Sequence, residues 1–342
     1  MHPVIGITKT ERLLSPLGNI YAFCARIHSG IRRARAVQMP VPVISVGNIS
    51  MGGTGKTPVC ALLAEYFSAE GRKPVILTRG YKSRPKALPH LVDVRDNPVE
   101  CGDEPLLLAR MLINKAKVVV DPRRVRAARW AMTNLDPGLF ILDDGFQHVG
   151  IKRTTDLVLL TAHDLEAGWN RVFPAGCWRE GEQALQRADI FLINIWGRDI
   201  RDMQYLVNRQ PVLSRQMVFF MDIQVQGLRA VHCGEQVQSI DQRPYILATG
   251  VANHNKVVSS VHRFLGYSPH SHLPFPDHHD FGPESVKAIM ALARESGAQD
   301  IICTSKDAVK LGPVPGFRVW EMITCITIFH GQDAFFRAVS PF

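Results

Sequence analysis

Val43-Ile-Ser-Val-Gly-Asn-Ile-Ser-Met-Gly-Gly-Thr-Gly-Lys-Thr-Pro58 is the stretch that decides the fold of this 342-residue chain. Val43, Ile44 and Val46 begin an apolar run rich in β-branched side chains, the pattern of a buried strand. A glycine-dense loop follows, and then Val59, Leu62, Leu63, Tyr66 and Phe67 recur at helical spacing. Strand, glycine loop, Gly-Lys-Thr and helix in that order make a cradle for nucleotide phosphates. Glycines let successive backbone N–H groups turn toward an anion, and the helix N-terminus adds partial positive charge. Gly52, Gly53, Thr54 and Gly55 would line the cradle, Lys56 would reach the β- and γ-phosphates, and the Thr57 hydroxyl would hold Mg2+. The strict motif has glycine where this chain has Ser50. A glycine-rich turn in an unrelated α/β protein is the competing reading, and the order of the elements argues against it.

The rest of the chain fits an enzyme of about two domains with ample core. Hydrophobic residues make up 46% and charged residues 21%, ordinary values for a globular protein. Seven cysteines are scattered with no C-x-x-C pair, which argues against a disulfide framework or a structural zinc and for a reducing compartment. No signal peptide is visible, and no apolar run is long enough to span a bilayer. The net charge of +9 favours anionic partners without choosing among nucleotide, phospholipid and nucleic acid.

Upstream of the loop, Leu13, Leu17, Ile20, Cys24, Ile27 and Ile31 fall on one helical face, with Arg26, Arg32, Arg33 and Arg35 around the basic end. No acidic residue occurs from Arg12 through Ala64. Such a helix either packs on its own domain or lies on an anionic membrane, apolar face down.

Downstream, Lys73-Pro-Val-Ile-Leu-Thr-Arg-Gly-Tyr81 reads as a second strand ending in a glycine turn. In Cys101-Gly-Asp-Glu-Pro105 the adjacent acids Asp103 and Glu104 precede a helix, where they serve either as caps or as base and metal ligand. Val118–Val120 reads as a third strand. Leu139-Phe-Ile-Leu-Asp-Asp-Gly-Phe-Gln-His148 is an apolar strand ending in acid, and Asp143 and Asp144 suit Mg2+ at the carboxyl edge of a parallel sheet. Leu157–Thr161 and Ile190–Ile195 continue the alternation, with Phe173-Pro-Ala-Gly-Cys-Trp-Arg-Glu180 between them. The fold class is a doubly wound, mostly parallel α/β sheet of the P-loop type with a second, smaller α/β lobe.

From about Arg201 the texture changes. Val218–Val225 and Leu228–His232, separated by Gln226-Gly227, predict a β-hairpin at the domain transition. Tyr245–Gly250 begins another strand–glycine–helix unit, and His270, His272, His278 and His279 cluster without the spacing of a metal site. Asp300-Ile-Ile-Cys-Thr-Ser-Lys-Asp307 is a last strand ending in polar residues.

With these motifs assembled, the chain resembles the tetraacyldisaccharide 4'-kinase family, the lipid A 4'-kinases of Gram-negative bacteria. The carrying stretches are Val46–Pro58, Thr78–Tyr81, Gly102–Pro105, Asp143–His148, Pro174–Gly176 with Arg179 and Glu180, Asp277-His278 and Thr304–Lys310. Ser305 stands where members commonly carry Glu, and His254 where they carry Pro. The resemblance implies transfer of the γ-phosphoryl of ATP to the 4'-hydroxyl of an acylated glucosamine disaccharide 1-phosphate. It implies a membrane-interface helix over 1–36, a P-loop domain over 37–200 and a C-terminal lobe over 201–342 closing on the active site. It places the protein peripherally at the cytoplasmic face of the inner membrane, bound to the anionic surface through the N-terminal helix. By matching positions, Lys56 and Thr57 take phosphate and Mg2+, Asp143, Asp144 and Glu180 join the active-site acids, and Asp103 is the base with His278 its orienting partner. The division of base and metal ligand between Asp103 and Glu104 stays open. A P-loop ATPase acting as a switch or a nucleic-acid motor is the alternative. Met51 occupies the place of the signature lysine of dimer-forming P-loop ATPases, and no aromatic-interleaved basic groove favours nucleic acid.

Overall fold

The computed structural model describes residues 9–329, 331–340 and 342, with side chains from Leu14 onward; the expected contribution of Leu13 to the apolar face lies outside the described residues. Helix α1 (Lys9–Ala34) leads into β1 (Val43–Asn48), α2 (Lys56–Ala69), β2 (Pro74–Thr78) and the short β3 (His90–Leu91). Next come α3 (Pro98–Cys101), α4 (Asp103–Met111), β4 (Lys117–Val120), α5 (Arg124–Asn134) and β5 (Leu139–Asp143). Strand β6 (Thr155–Thr161), α6 (Ala162–Leu165), β7 (Ile190–Asn194) and α7 (Ile200–Asn208) complete the first alternation. The second comprises β8 (Met217–Ala230), β9 (Gln236–Val237), β10 (Tyr245–Thr249), α8 (His254–Leu265), β11 (Ser271–Pro274) and α9 (Pro283–Glu295). It ends with β12 (Asp300–Thr304), α10 (Ser305–Leu311), β13 (Arg318–Phe329) and α11 (Gln332–Val339).

The strands join one sheet in the order β11-β10-β12-β13-β8-β7-β6-β1-β5-β2-β4-β3, with β9 beside β8. Pairing is parallel except at β13/β8, β8/β9 and β3/β4. Every residue of β1, β2, β5, β6 and β7 is buried, as strands covered on both faces must be. One face packs against α2 through Val59, Leu63 and Phe67, and the other against α5 through Ala127, Ala128 and Ala131.

Where a hairpin was expected, β8 runs straight through as one 14-residue strand. Its start pairs with β7, from Met217 to Met221, and the whole of it pairs antiparallel with β13. Gln226-Gly227 is a bulge rather than a turn: Ile323 sits opposite Gly227 and Thr324 opposite Val225, which leaves Gln226 unpaired. One extra residue bends and twists a strand without ending it, so the two halves of the sheet are continuous through β8 and β13. Helix α11 then returns across the sheet, stacking Phe336 on Tyr66 at 4.0 Å and burying Phe335 in the core under α2.

Helix α1 touches the body along one narrow line. A Cβ at Gly18 would come within 2.9 Å of the Val172 carbonyl, so glycine is what permits that approach. Tyr21 meets Phe173 edge-on, and the Ser29 hydroxyl donates to Glu180. Leu17, Ile20, Phe23, Ile27 and Ile31 point away from the protein.

Candidate active site

The parallel register of β1 and β5 pairs Val46 with Asp143, so the phosphate loop and the Asp143-Asp144 turn leave the sheet side by side. Gly47 allows this contact, because a Cβ there would lie 2.5 Å from the Cβ and N of Phe146. Gly55 caps α2 at φ 101°, a left-handed conformation, with no side chain bonded to the first N–H groups of the helix. Those donors are therefore free for an anion. The hydroxyl of Thr54 and the amide Nδ2 of Asn48 are buried with no partner among the described residues. Lys56 donates to Asn48 Oδ1 at 3.1 Å and lies 3.5 Å from Asp144.

Four acids face this loop. Asp143 accepts from the Thr78 hydroxyl at 2.8 Å. Burial, then the charges of Glu104 and Asp144, push its carboxyl up to about 6. Burial also acts to raise Asp144, but Lys56 and Arg179 outweigh it and hold that carboxyl below its ordinary value. Asp144 takes this position at φ 49°, in the left-handed region. Glu104 accepts from the Thr57 hydroxyl at 3.3 Å.

Asp103 opens α4, but it caps nothing: the N-cap is Gly102, at φ 95°. Its Oδ2 instead accepts from His278 Nδ1 at 3.1 Å and from Lys310 Nζ at 2.8 Å. Burial works to raise the Asp103 carboxyl, and these two hydrogen bonds more than reverse it, leaving the group below its ordinary range. His278, 175 positions away, is itself held at φ 64°, and such strain concentrates at functional sites. On its other ring nitrogen it accepts from Lys306 Nζ at 3.1 Å, which assigns the ring proton to Nδ1. Lys306 also pairs with Asp277 at 3.1 Å and Glu104 at 3.4 Å. Burial lowers its proton affinity, and these carboxylates overcome that and raise it.

A cradle of free N–H donors, an acid cluster and a second-lobe histidine on the first-lobe acid describe a phosphoryl-transfer site. The family model described as Tetraacyldisaccharide-1-P 4'-kinase matches residues 10–340. The chain belongs to this family. It is 40% identical over 316 residues to the Tetraacyldisaccharide 4'-kinase of Nitratidesulfovibrio vulgaris, covering 90% of this chain and 86% of that one. Identity is 41% over 325 residues with that of Oleidesulfovibrio alaskensis, at 93% and 88% coverage. Among solved structures it is similar to LpxK from Aquifex aeolicus in complex with ATP, with TM-score 0.73, 26% identity, and coverage of 97% of this chain and 100% of that one.

Against the residues that the kinase family pattern marks, the structure brings together Lys56, Thr57, Glu104, Asp103, Asp143, Asp144 and His278. Glu180 is not brought to them. Its carboxylate is taken by Arg187 at 2.8 and 2.9 Å and by Ser29, under α1. The residue before it, Arg179, is the one that reaches Asp144, at 2.9 Å. Successive side chains of extended backbone point to opposite sides, so the two cannot both enter the site. Lys306 and Lys310 received no role from the sequence, although their i, i+4 spacing in the short helix α10 puts both on one face. His270, His272 and His279 go to Ser271, Thr249 and Ser285. Of the two departures from the family pattern, Ser305 donates to the Met322 carbonyl and His254 bonds Thr249.

Proposed function

We propose that this chain transfers the γ-phosphoryl group of ATP to the 4'-hydroxyl of a tetraacyl glucosamine disaccharide 1-phosphate. The observation that carries the reading is an unbroken run of contacts from Thr57 through Glu104 and Lys306 to His278 and Asp103. That run spans the path from phosphate loop to acceptor. Residues 37–200 supply the loop and the acids, and residues 201–342 supply His278, Lys306 and Lys310.

The oxygen donors at the loop fit a hard cation: a hydroxyl on Thr57 and carboxylates on Glu104, Asp143 and Asp144, whose mutual repulsion is what raises Asp143. Thr57 with these acids would hold Mg2+, whose charge supplies neutralisation of the β- and γ-oxygens. Lys56 turns from Asn48 onto the phosphates. Asp103 accepts the proton of the incoming hydroxyl, and His278 fixes its orientation through Nδ1–H. An acid held ionised is a weak base. That is sufficient for a loose transition state, in which positioning and charge neutralisation do most of the work. Lys306 adds a cation from the second lobe beside the transfer path.

Support for a membrane-surface location comes from α1. Leu17, Ile20, Phe23, Ile27 and Ile31 are each 48–63% exposed, so the apolar face is not consumed by packing on the protein's own domain. Among the described residues no helix is long and apolar enough to cross a membrane. An amphipathic helix with an unburied apolar face and Arg26, Arg32, Arg33 and Arg35 beside it suits the anionic cytoplasmic leaflet of a bacterial inner membrane.

The test is incubation of the purified chain with labelled ATP, Mg2+ and tetraacyldisaccharide 1-phosphate in micelles. Transfer of label to the disaccharide is expected. ATP turnover that rises with RNA or DNA and ignores the lipid would overturn the proposal.

A further inference from the structure

Beneath α1 lies a cavity of about 200 Å³ that the phosphoryl-transfer machinery does not use. Its wall carries three arginines, Arg26, Arg33 and Arg187, and a single carboxylate, Glu180. Glu180 is already committed to Arg187 through both oxygens. Arg26 and Arg33 have no acidic or hydrogen-bonding partner among the described residues. Arg187 stacks its guanidinium over the Phe146 ring at 4.4 Å, and its Nε is buried with no partner. Behind the wall, Arg153 is 8% exposed and also has a buried, unpartnered Nε. Burial lowers its proton affinity, and the neighbouring charges of Arg187 and Arg33 lower it further. Like charges crowded into a half-enclosed space repel one another unless an anion joins them, and guanidinium forks match a phosphate best.

Two observations say where such an anion would come from. The cavity is roofed by the inner side of α1, whose outer side carries the exposed apolar residues, so it opens at the level of membrane headgroups. It is also one residue removed from the active site. Arg179 holds Asp144 on one side of the chain while Glu180 lines the cavity on the other. One peptide step plus two side-chain reaches gives a separation on the order of 10 Å, comparable to the length of a disaccharide.

We propose that this cavity binds the phosphate at the anomeric end of the disaccharide substrate while the opposite hydroxyl lies at Asp103. The inference rests on the kinase reading above and adds to it the group that sets the direction of the acceptor. Arg26 and Arg33 take the phosphate oxygens, and Arg187, anchored by Glu180 and Phe146, forms the floor. Phosphate held at one end presents the 4'-hydroxyl, not another sugar hydroxyl, to the base.

The experiment crosses a change in the substrate with a change in the protein. Initial rates are measured in neutral micelles with tetraacyldisaccharide 1-phosphate and with the same disaccharide lacking the phosphate. The full-length chain is compared with Arg26→Gln/Arg33→Gln and, as a control, with Arg32→Gln/Arg35→Gln, whose arginines do not line the cavity. Arg187→Lys keeps the buried charge beside Glu180 while removing the fork. The unaltered protein should lose at least about tenfold in kcat/KM when the substrate phosphate is removed, the scale of one or two charge-assisted hydrogen bonds. The Arg26/Arg33 variant should lose a similar factor on the phosphorylated substrate, mainly through KM, and little on the other. The control should keep the full discrimination. Vesicle co-sedimentation supplies the second arm. If the Arg26/Arg33 variant loses vesicle binding yet discriminates between the substrates as well as the unaltered protein, the cavity serves bulk lipid headgroups and the proposal is wrong. Equal rates on both substrates by the unaltered protein also overturn it. No transfer to either substrate would instead refute the kinase reading itself.

Discussion

Removing Lys310 tests how charge holds the two halves of the active site together. Its ammonium lies 2.8 Å from Asp103, and the two side chains are 6% and 12% exposed. At an effective dielectric of 20, two unit charges at that separation attract by about 6 kcal/mol before the cost of drying them is counted. Taking away one member of such a buried pair typically costs about 3–5 kcal/mol, because the other charge is left without compensation. Lys310→Met leaves Asp103 with His278 as its remaining partner, so a loss toward the lower end, about 3 kcal/mol, is expected. Asp103→Asn strands the lysine and should cost as much or more. The double variant Asp103→Asn/Lys310→Met buries neither charge and should recover at least about 2 kcal/mol of the summed losses. Activity should not recover with it, since the base is gone and roughly 10²–10⁴ of rate goes with it. The assay is urea unfolding of the four proteins followed by tryptophan emission, with kcat measured on the same samples. Additive stability losses would show that the pair is not coupled, and the account of how Lys310 anchors Asp103 would fail.

The base and its orienter lend themselves to a second cycle: Asp103→Ala with His278→Ala should be little slower than the worse single variant, whereas multiplicative losses in kcat would separate them into independent residues. Lys56→Ala should abolish transfer while the thermal melt stays near that of the unaltered protein, and near-normal rates at saturating ATP would contradict the phosphate-loop assignment. Reversing Arg26, Arg32, Arg33 and Arg35 to Glu should release the protein from anionic vesicles, at about 1 kcal/mol for each basic residue lost near the surface. Unchanged co-sedimentation would return α1 to a purely structural role. His148 supplies a pH prediction. Burial first, then Arg124, Arg32, Arg153 and Arg79, lower its folded pKa from 6.5 to about 3, so its contribution to stability is complete above 6.5 and is lost as pH falls toward 3. His148→Gln should therefore flatten the decline in unfolding free energy across that window, and an unaltered slope would show that another group titrates there.

Local chemistry determined a large part of this protein. A β-branched strand, left-handed glycines and a lysine at a helix N-terminus impose their geometry within a dozen residues, so the phosphate loop was legible at Val43–Thr57. The same holds for Leu139–Asp144, where four apolar residues drive a strand into the sheet and its acids emerge at the edge. What lay beyond local reach was the direction of side chains across long separations. Asp103 looked equally like a cap or a base until Gly102 took the capping position and His278 and Lys310 closed on its carboxylate. Lys306 and Lys310 carried their signal in an i, i+4 spacing, but only the placement of α10 against α4 says which acids they meet. Glu180 illustrates the limit most sharply: it adjoins a residue that does reach Asp144, yet the alternation of extended backbone turns it the other way, under α1. The bulge at Gln226 belongs with these cases, because a glycine between two β-rich runs fits both a turn and an unpaired residue. The partner strand β13 decides between them, and it is nearly a hundred residues away in sequence, where periodicity has no reach.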